Sequence, residues 1–138
     1  MAEKITLRLV TPSRQLLDEE VDEVTAPGAL GEFGVLPHHI SFLTQLEPGE
    51  MSYKQGAERT HLAVGGGYAE VMDDVMTVLA DAAEFAEEID IERARRAQER
   101  AERQLEELSR EDKQFVAAEA ALRRALARLQ VAGTETRR

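Results

Sequence analysis

Hydrophobic and polar residues alternate in short runs through the first two thirds of the chain. Ile5, Leu7 and Leu9 alternate with polar neighbours, which is typical of a strand with one buried face. Further runs end at turn signals and cover residues 21–24, 31–35, 43–46, 51–54, 61–64, 68–72 and 75–81. Roughly eight to ten short strands with no helical pattern between them predict an antiparallel sandwich or barrel.

Three of the expected turns depend on particular residues. The run at 43–46 is expected to end at Pro48–Gly49, and the run at 61–64 is expected to end at Gly65–Gly67. The last two runs are expected to pair as a hairpin across Asp73–Asp74, because aspartate tolerates turn conformations.

The period of the pattern changes near residue 90. Apolar residues then recur three or four positions apart, first as Ile91, Ala94, Ala97 or Ala101, Leu105 and Leu108, and then as Phe115, Ala118, Leu122, Ala125 or Leu126, and Leu129. Asp90 is a good N-cap, Ser109–Asp112 supplies a break and a second cap, and Gly133 is expected to end the second helix. Helices of about 19 and about 20 residues joined by this turn predict an antiparallel hairpin.

The apolar stripe of the predicted hairpin is narrow and rich in alanine. Such a stripe buries little area per turn, and at roughly 25 cal/mol per Å² its docking on the sandwich is expected to be weak. Weak docking suits an element that moves during function. The alternative is a small alanine-lined hairpin that never leaves the sheet.

Composition and charge narrow the class of protein. A chain of 138 residues holds one modest core and a short appendage, which argues against a self-contained large enzyme. The net charge of −10 argues against nucleic acid as a partner, because phosphate binding needs an excess of cations. Cysteine is absent, which excludes disulfides, thiolate zinc sites and thiol nucleophiles. No apolar run approaches the roughly 20 residues that span a bilayer, so direct membrane insertion is not expected.

The net charge of the chain changes at the same place as the hydrophobic period, near residue 90. Residues 1–89 carry 17 acids and 5 bases, a net charge of −12, whereas residues 90–138 carry 10 acids and 12 bases, a net charge of +2. An asymmetry of this kind indicates that the two parts of the chain face different neighbours.

Residue spacing indicates no catalytic or metal site. Gly65–Gly67 is not followed by Lys-Ser or Lys-Thr and leads into a strand, which favours a β-bulge with closely approaching backbones over a phosphate loop. His38, His39 and His61 lack the spacing of a three-ligand zinc site. The carboxylates lie in dense charged runs without a Ser-His-Asp signature, so no general acid or nucleophile can be singled out.

Charged residues gather at the predicted helix start and on the returning helix, and they are Glu84, Asp90, Arg93, Arg100, Arg123, Arg124 and Arg128. Asp90 and Arg93 are neighbours on one helical face, and Arg100 lies two turns beyond Arg93. An antiparallel hairpin brings the late arginines level with the early ones. There they could surround a polyanion such as a triphosphate, while Asp90 accepts from a base or ribose donor. The alternative is a solvated face of Arg–Glu pairs.

Three motifs spread along the chain resemble a known family. Residues 28–39 read Gly-Ala-Leu-Gly-Glu-Phe-Gly-Val-Leu-Pro-His-His, and residues 62–68 read Leu-Ala-Val-Gly-Gly-Gly-Tyr ahead of Val-Leu-Ala-Asp at 78–81. Residues 89–94 read Ile-Asp-Ile-Glu-Arg-Ala. With this order of segments, essentially the whole chain resembles the epsilon subunit of the bacterial rotary F-type ATP synthase.

The resemblance implies an α+β fold with segregated elements. Residues 1–88 would form an antiparallel β-sandwich at the foot of the rotor, and residues 89–138 would form a regulatory helical hairpin. The implied protein is a non-catalytic central-stalk subunit of a proton-translocating ATP synthase, peripheral at the cytoplasmic face of the bacterial inner membrane. It would couple rotation of the c-ring through the gamma subunit to ATP synthesis. It would also inhibit ATP hydrolysis when the hairpin extends toward the alpha/beta catalytic head.

The resemblance also implies site residues. No cofactor is required, but ATP is expected as a regulatory ligand, bound by Glu84, Ile89, Asp90, Arg93, Ala94, Arg100, Arg124 and Arg128. Arg124 and Arg128 keep the four-residue spacing of the family's second-helix arginines. Arg123 is followed at four by Ala127, so either the register shifts by one across the inter-helix turn or one arginine is lost. A second set, expected to face the c-ring, consists of Glu32, Phe33, His38 and His39.

Two other interpretations stay open. A stand-alone ligand-binding module or small enzyme, with the helices as a lid, would carry a concave apolar pocket and would be active as an isolated chain. A stalk subunit whose hairpin is a fixed structural clip would inhibit equally with and without ATP.

Overall fold

The computed structural model describes residues 3–134. Within them, eight strands come first, and a 3-10 helix at Ala86–Glu88 leads into two α-helices. The strands are β1 (Ile5–Val10), β2 (Gln15–Val21), β3 (Glu23–Gly28), β4 (Gly31–Val35), β5 (Phe42–Gln55), β6 (Glu58–Met72), β7 (Val75–Ala80) and β8 (Ala83–Phe85). The helices are α1 (Ile91–Glu107) and α2 (Lys113–Thr134). The predicted β-sandwich followed by a two-helix hairpin is confirmed.

The strands of residues 3–134 form one sheet in the order β2-β1-β7-β6-β5-β3-β4, with β8 alongside β6. Paired strands are antiparallel except β1 and β7, which run parallel with Thr6 opposite Val75 and Val10 opposite Leu79. The wholly antiparallel arrangement predicted from the sequence therefore differs for this one pair. No tight turn joins β1 to β7, so nothing in the local sequence forces them to run in opposite directions.

Alternation along the strands accounts for the core. Ile5, Leu7 and Leu9 are fully buried in β1, as the pattern predicts, while Arg8 between them is exposed. The largest fully buried side chains are aliphatic or methionine, and they are Ile5, Leu7, Leu9, Met51, Leu62, Met76, Val21, Val24, Val35, Val64, Val71 and Val78. Complete burial of one such side chain contributes roughly 1.5–3 kcal/mol, so the core is stable without tryptophan.

β5 continues through Pro48, where the sequence predicts an end. Pro48 lies opposite Gly65, whose N–H donates to the Ala82 carbonyl at 2.8 Å and so points away from β5. On its other side, the pairing of β5 with β3 is interrupted between Thr25 and Gly28. Pro48 therefore occupies a position where neither neighbour needs a donated hydrogen bond, which is the condition under which proline is tolerated inside a strand.

β6 likewise runs through Gly65–Gly67 without ending. The register against β5 does not shift across these glycines, so the predicted β-bulge is wrong. The expected close approach of backbones is confirmed, because a Cβ on Gly67 would lie 2.0 Å from the Leu79 carbonyl oxygen. Gly67 also has a φ of +134°, which other residues rarely adopt. The glycines thus let one long strand pass close to β7 where the sequence pattern suggests two strands.

The two predicted N-cap residues are confirmed, and the predicted helix end at Gly133 is wrong. Asp90 caps α1, and its carboxylate accepts a hydrogen bond from the Arg93 N–H at 3.1 Å. Asp112 precedes α2 and accepts from the Gln114 N–H at 2.9 Å. Gly133 lies inside α2 and does not end it. A glycine costs a helix only about 1 kcal/mol relative to alanine, which packing at this end of α2 can offset.

α2 is the helix that rests on the sandwich. It contacts β5, β6 and the 3-10 helix, whereas α1 packs along α2. A small apolar cluster joins the two parts, and its buried members are Ala63, Ile89, Val131 and Ala132. Arg124 crosses β6 at Gly65, so closely that a Cβ on Gly65 would lie 3.3 Å from the Arg124 Cδ. The hairpin is therefore held through one helix and a few small side chains.

The outward surface of the hairpin is charged. On α1, for example, the exposed Arg95 guanidinium pairs with Glu92 one turn earlier at 2.9 Å. None of the helices within residues 3–134 combines the length and the apolar character needed to cross a membrane.

Gly67→Ala is expected to destabilise the sandwich. The added Cβ would collide with the β7 backbone, and the strained φ alone costs about 1–3 kcal/mol. Urea unfolding followed by circular dichroism should show a loss of about 2–3 kcal/mol. Gly34→Ala is the matched control, because the nearest atom to its Cβ would be the Val24 carbonyl oxygen at 4.0 Å, and it should change stability by less than about 0.5 kcal/mol. Equal losses in the two variants would contradict this account.

Candidate functional site

A narrow crevice lies where α2 crosses the sheet. Its charged lining comes from Glu84, Arg124 and Arg128, and its small or apolar lining consists of Ala63, Val64, Gly65, Ala82 and Ala83. The cavity measures about 10 Å³, which is close to the space one water molecule occupies. The crevice therefore gathers three of the predicted ATP-binding residues around a space that is too small for a nucleotide while α2 is docked.

Glu84 and Arg128 form an ion pair across the crevice. The Arg128 Nε donates to the Glu84 Oε1 at 2.6 Å, and each side chain keeps about a third of its surface exposed at 31% and 34%. The contact is therefore a short hydrogen bond between an arginine and a carboxylate that is partly shielded from water. It joins α2 to the strand that leads into the helical part of the chain.

The structure distinguishes the three arginines of α2. Arg124 and Arg128 both line the crevice, whereas Arg123 lies outside it and pairs with Glu47 of β5 at 3.0 Å. Within residues 3–134 the Arg124 guanidinium has no hydrogen-bond or ion-pair partner. The pair with four-residue spacing is thus the one beside Glu84, and Arg123 makes a separate contact with the sandwich.

The predicted residues of α1 do not line this crevice. Asp90 serves as the N-cap, while Arg93 and Arg100 are exposed and their guanidinium groups have no partner in the described part of the chain. Ile89 and Ala94 are buried, with Ile89 in the apolar cluster below α2. Ile89 and Ala94 are therefore packing residues here, and Arg93 and Arg100 face solvent.

The second predicted set lies on β4 and the loop that follows. Glu32 and Phe33 line an open depression of about 400 Å³, together with the fully exposed Leu30. Phe33 packs edge-on against Phe42, with ring centroids 5.4 Å apart. His39 stacks at a tilt on the same Phe42 ring at 5.0 Å. Phe42 thus contacts both β4 and the loop that follows it.

His38 ties the loop to the rest of the sandwich. Its φ is +68°, and its N–H donates to the Asp74 Oδ1 at 2.5 Å, in the turn between β6 and β7. Asp73 and Asp74 also have positive φ, as the predicted two-residue hairpin requires. The His38 ring lies between two carboxylates, with Nε2 2.6 Å from Glu3 and Nδ1 3.4 Å from Asp74. His38 therefore makes its contacts within the chain.

Residue spacing did not predict the exposed apolar surface around this loop. Its large exposed side chains are Leu30, Leu36, Ile40, Leu43, Tyr68, Met72 and Leu79. Tyr68 and Leu79 are cross-strand neighbours on β6 and β7, and Leu43 lies on the adjacent β5. Leu43, Tyr68 and Leu79 lie on three different strands, so only the strand register brings these three together. A surface of this kind is typical of a protein–protein contact.

Apart from the crevice and the depression, a groove of about 710 Å³ lies between the β5–β6 turn and the 3-10 helix. Most of its lining is polar or charged, including Arg59, His61 and Glu87, unlike the concave apolar pocket expected of a stand-alone ligand-binding module. His61 is held by Glu50 at 2.7 Å. Burial raises the pKa of the Tyr53 hydroxyl at the groove wall, so this phenol stays neutral. Across residues 3–134 no group of three or more His, Asp or Glu side chains could hold a metal ion.

Sequence comparison covers nearly the whole chain. Residues 4–86 match the family described as ATP synthase, Delta/Epsilon chain, beta-sandwich domain, and residues 87–133 match its long alpha-helix domain. The chain is 59% identical to the ATP synthase epsilon chain of Geobacter metallireducens and 58% identical to that of Geotalea daltonii. In both cases the match covers 138 residues and 100% of each chain.

Solved structures agree with these matches. One similar chain comes from the cryo-EM structure of the OSCP/F1/c-ring part of the Euglena gracilis mitochondrial ATP synthase. The two chains superpose with a TM-score of 0.78 and are 29% identical in sequence. The match covers 94% of this chain and 81% of that one. A chain in the Tetrahymena thermophila central stalk and c-ring structure shares the fold, with a TM-score of 0.56 at 14% identity and 97% coverage of both. The chain belongs to the ATP synthase delta/epsilon family, as a non-catalytic epsilon subunit of the F-type central stalk.

Proposed function

We propose that this subunit couples rotation of the c-ring to the gamma subunit and restrains ATP hydrolysis with its hairpin. The sandwich, within residues 1–88, would be the rotor-contacting domain, and the hairpin, within residues 89–138, would be the regulatory domain. The observation that carries the proposal is the attachment of the hairpin, because α1 reaches the sandwich mainly through α2. As part of the complex, the subunit would lie peripherally at the cytoplasmic face of the bacterial inner membrane.

The rotor contacts are assigned to the exposed surface of the sandwich. Glu32, Phe33, His38 and His39 would face the c-ring, and the fully exposed Leu30 beside Glu32 supports a protein contact there. The row formed by Leu43, Tyr68 and Leu79 supplies an apolar surface suited to the gamma subunit. The sandwich would then transmit torque as a rigid body, since its strands share one core.

The hairpin is assigned the inhibitory role because its docking is weak. Within residues 3–134 its contact with the sandwich is made by a small apolar cluster, the Arg124 stem over Gly65 and two ion pairs, so a second arrangement of the same helices would lie within a few kcal/mol. Once released, the hairpin, with its net charge of +2, would extend along gamma toward the alpha/beta catalytic head. Complementary charge on the head would steer that encounter.

ATP is proposed as the ligand that favours the docked hairpin. Arg124, Arg93 and Arg100 have guanidinium groups without partners within residues 3–134, and bidentate arginine contacts suit a triphosphate. The 10 Å³ crevice cannot enclose a phosphate, so the triphosphate would bind outside it, on these guanidinium groups, while α2 stays docked. ATP shifts the equilibrium only by its difference in affinity for the docked and released forms.

Removal of the hairpin should relieve inhibition. Catalytic head reconstituted with gamma and a chain ending after Glu88 is expected to hydrolyse ATP severalfold faster than head reconstituted with the full chain, because the element that enters the head is missing. The assay is steady-state phosphate release, with gamma binding and circular dichroism of the shortened chain as controls. Equal rates would argue against an inhibitory hairpin, and ATP turnover by the isolated chain would instead favour the small-enzyme interpretation.

Millimolar ATP should protect the hairpin from proteolysis. A Glu-specific protease suits the test, because substitutions of arginine then remove no cleavage site. Arg93→Ala and Arg128→Ala are each expected to weaken the protection about tenfold in ATP concentration, as loss of one contact between charged groups does. Arg110→Ala, in the exposed inter-helix turn, is the control and should behave as the parent. A hairpin that is a fixed clip would be cleaved at the same rate with and without ATP.

A further inference from the structure

Within residues 3–134, two ion pairs join the hairpin to the sandwich, and they lie on different flanks of α2. Arg123 reaches Glu47 of β5 at 3.0 Å, and Arg128 reaches Glu84 beside β6 at 2.6 Å. Residues five apart on a helix project about 140° from each other. Ala127, buried at 4% exposure, projects between them. The two arginines therefore lie at the two flanks of the strip by which α2 meets the sheet.

The apolar part of that strip is small. Ala127 and Val131 are buried, and Arg124 contributes its aliphatic stem over Gly65. On the sheet side, Ala63 is the buried apolar residue of the cluster. Alanine and glycine remove little apolar surface from water when the helix docks. The apolar contact is therefore weak, and the charged contacts make up a larger share of the docking free energy.

The net charges of the two parts also favour docking through ion pairs. The first 89 residues carry a net charge of −12 and the remaining 49 carry +2, so the field of the sandwich attracts cations on α2. The arginines at the contact face carboxylates of the sandwich, whereas the Glu92–Arg95 pair lies within α1 and contributes nothing to docking. Dissolved salt weakens the attraction between exposed charges, with a screening length of about 10 Å at an ionic strength of 0.1 M.

We infer that Arg123–Glu47 and Arg128–Glu84 form an ionic latch that sets how readily the hairpin leaves the sandwich. Arg123–Glu47 is a contact outside the proposed ATP-binding set, so it adjusts the resting position of the hairpin without touching the ligand. Raising ionic strength or neutralising either partner then increases the released population. This inference rests on the proposed hairpin movement, and it is tested by release in the isolated chain, apart from inhibition of the head.

A single introduced thiol measures release in the isolated full chain. The protein has no cysteine, so Ala63→Cys places one thiol on β6 beneath α2, where labelling requires the helix to move away. Ala69→Cys, in the sandwich core, reports unfolding of the sandwich itself. Labelling with a chromogenic disulfide reagent, under conditions where opening and closing are faster than reaction, gives a rate proportional to the released population.

In the Ala63→Cys background, Glu47→Gln and Arg123→Gln should each raise the labelling rate about two- to fivefold. The double variant should label no faster than either single one, and the exchanged pair Glu47→Arg with Arg123→Glu should return the rate toward that of the parent. Raising salt from about 0.05 to about 0.5 M should accelerate the parent more than the double variant. Glu92→Gln with Arg95→Gln is the matched control and should change nothing.

Unchanged labelling in Glu47→Gln and Arg123→Gln, or additive effects without rescue by the exchanged pair, would overturn the latch. So would an equal rise at the Ala69→Cys position, because the substitutions would then act by unfolding the sandwich. No other subunit enters this assay. A negative labelling result therefore contradicts the latch and does not bear on inhibition of the head. A reconstituted enzyme without inhibition would contradict the proposed function and would not bear on the latch.

Discussion

The close approach of α2 to β6 is the contact on which the second half of the protein depends. Gly65 has no side chain where the stem of Arg124 crosses the strand, and Ala63 and Ala127 are buried on the two sides without bulk. A bulky side chain at Gly65 would displace the Arg124 stem and push the helix away from the sheet. α1 would follow, because its main packing partner is α2. Small residues on one strand thus decide whether the hairpin has a docked position at all.

The same close packing constrains what the candidate site can do. Glu84 already accepts from Arg128, and one Asp90 oxygen already accepts from the backbone of α1. An anion entering the crevice must therefore either draw Arg128 away from Glu84 or use the unpartnered Arg124. The first route breaks a contact that holds α2 on the sandwich, whereas the second leaves that contact intact, so the route decides how binding affects hairpin position.

Much of this arrangement could be predicted from the sequence, wherever the cause is local. Alternation in β1 predicted the burial of its three aliphatic residues, and the carboxylates of Asp90 and Asp112 predicted the helix starts. Pro48 and the Gly65–Gly67 run were misleading, because what a strand tolerates depends on its neighbours in the sheet. The arginine spacing left two alternatives open for a similar reason, since only the rotation of α2 shows which side chains reach Glu84. The exposed apolar row was missed because its members come from three different strands.

Weak docking also explains why charge matters more here than in the sandwich. In the core, burial of one Val or Leu contributes roughly 1.5–3 kcal/mol, and a surface ion pair of about 0.2–1 kcal/mol is minor beside the sum. Under α2 the buried cluster has four members, two of them alanine, so each ion pair is a sizeable part of what holds the hairpin. Moving an equilibrium fully from one state to the other takes about 5.5 kcal/mol of differential binding. A hairpin docked through many large side chains would need more differential binding than a few charged contacts supply, whereas the four-member cluster of Ala63, Ile89, Val131 and Ala132 keeps the required difference small.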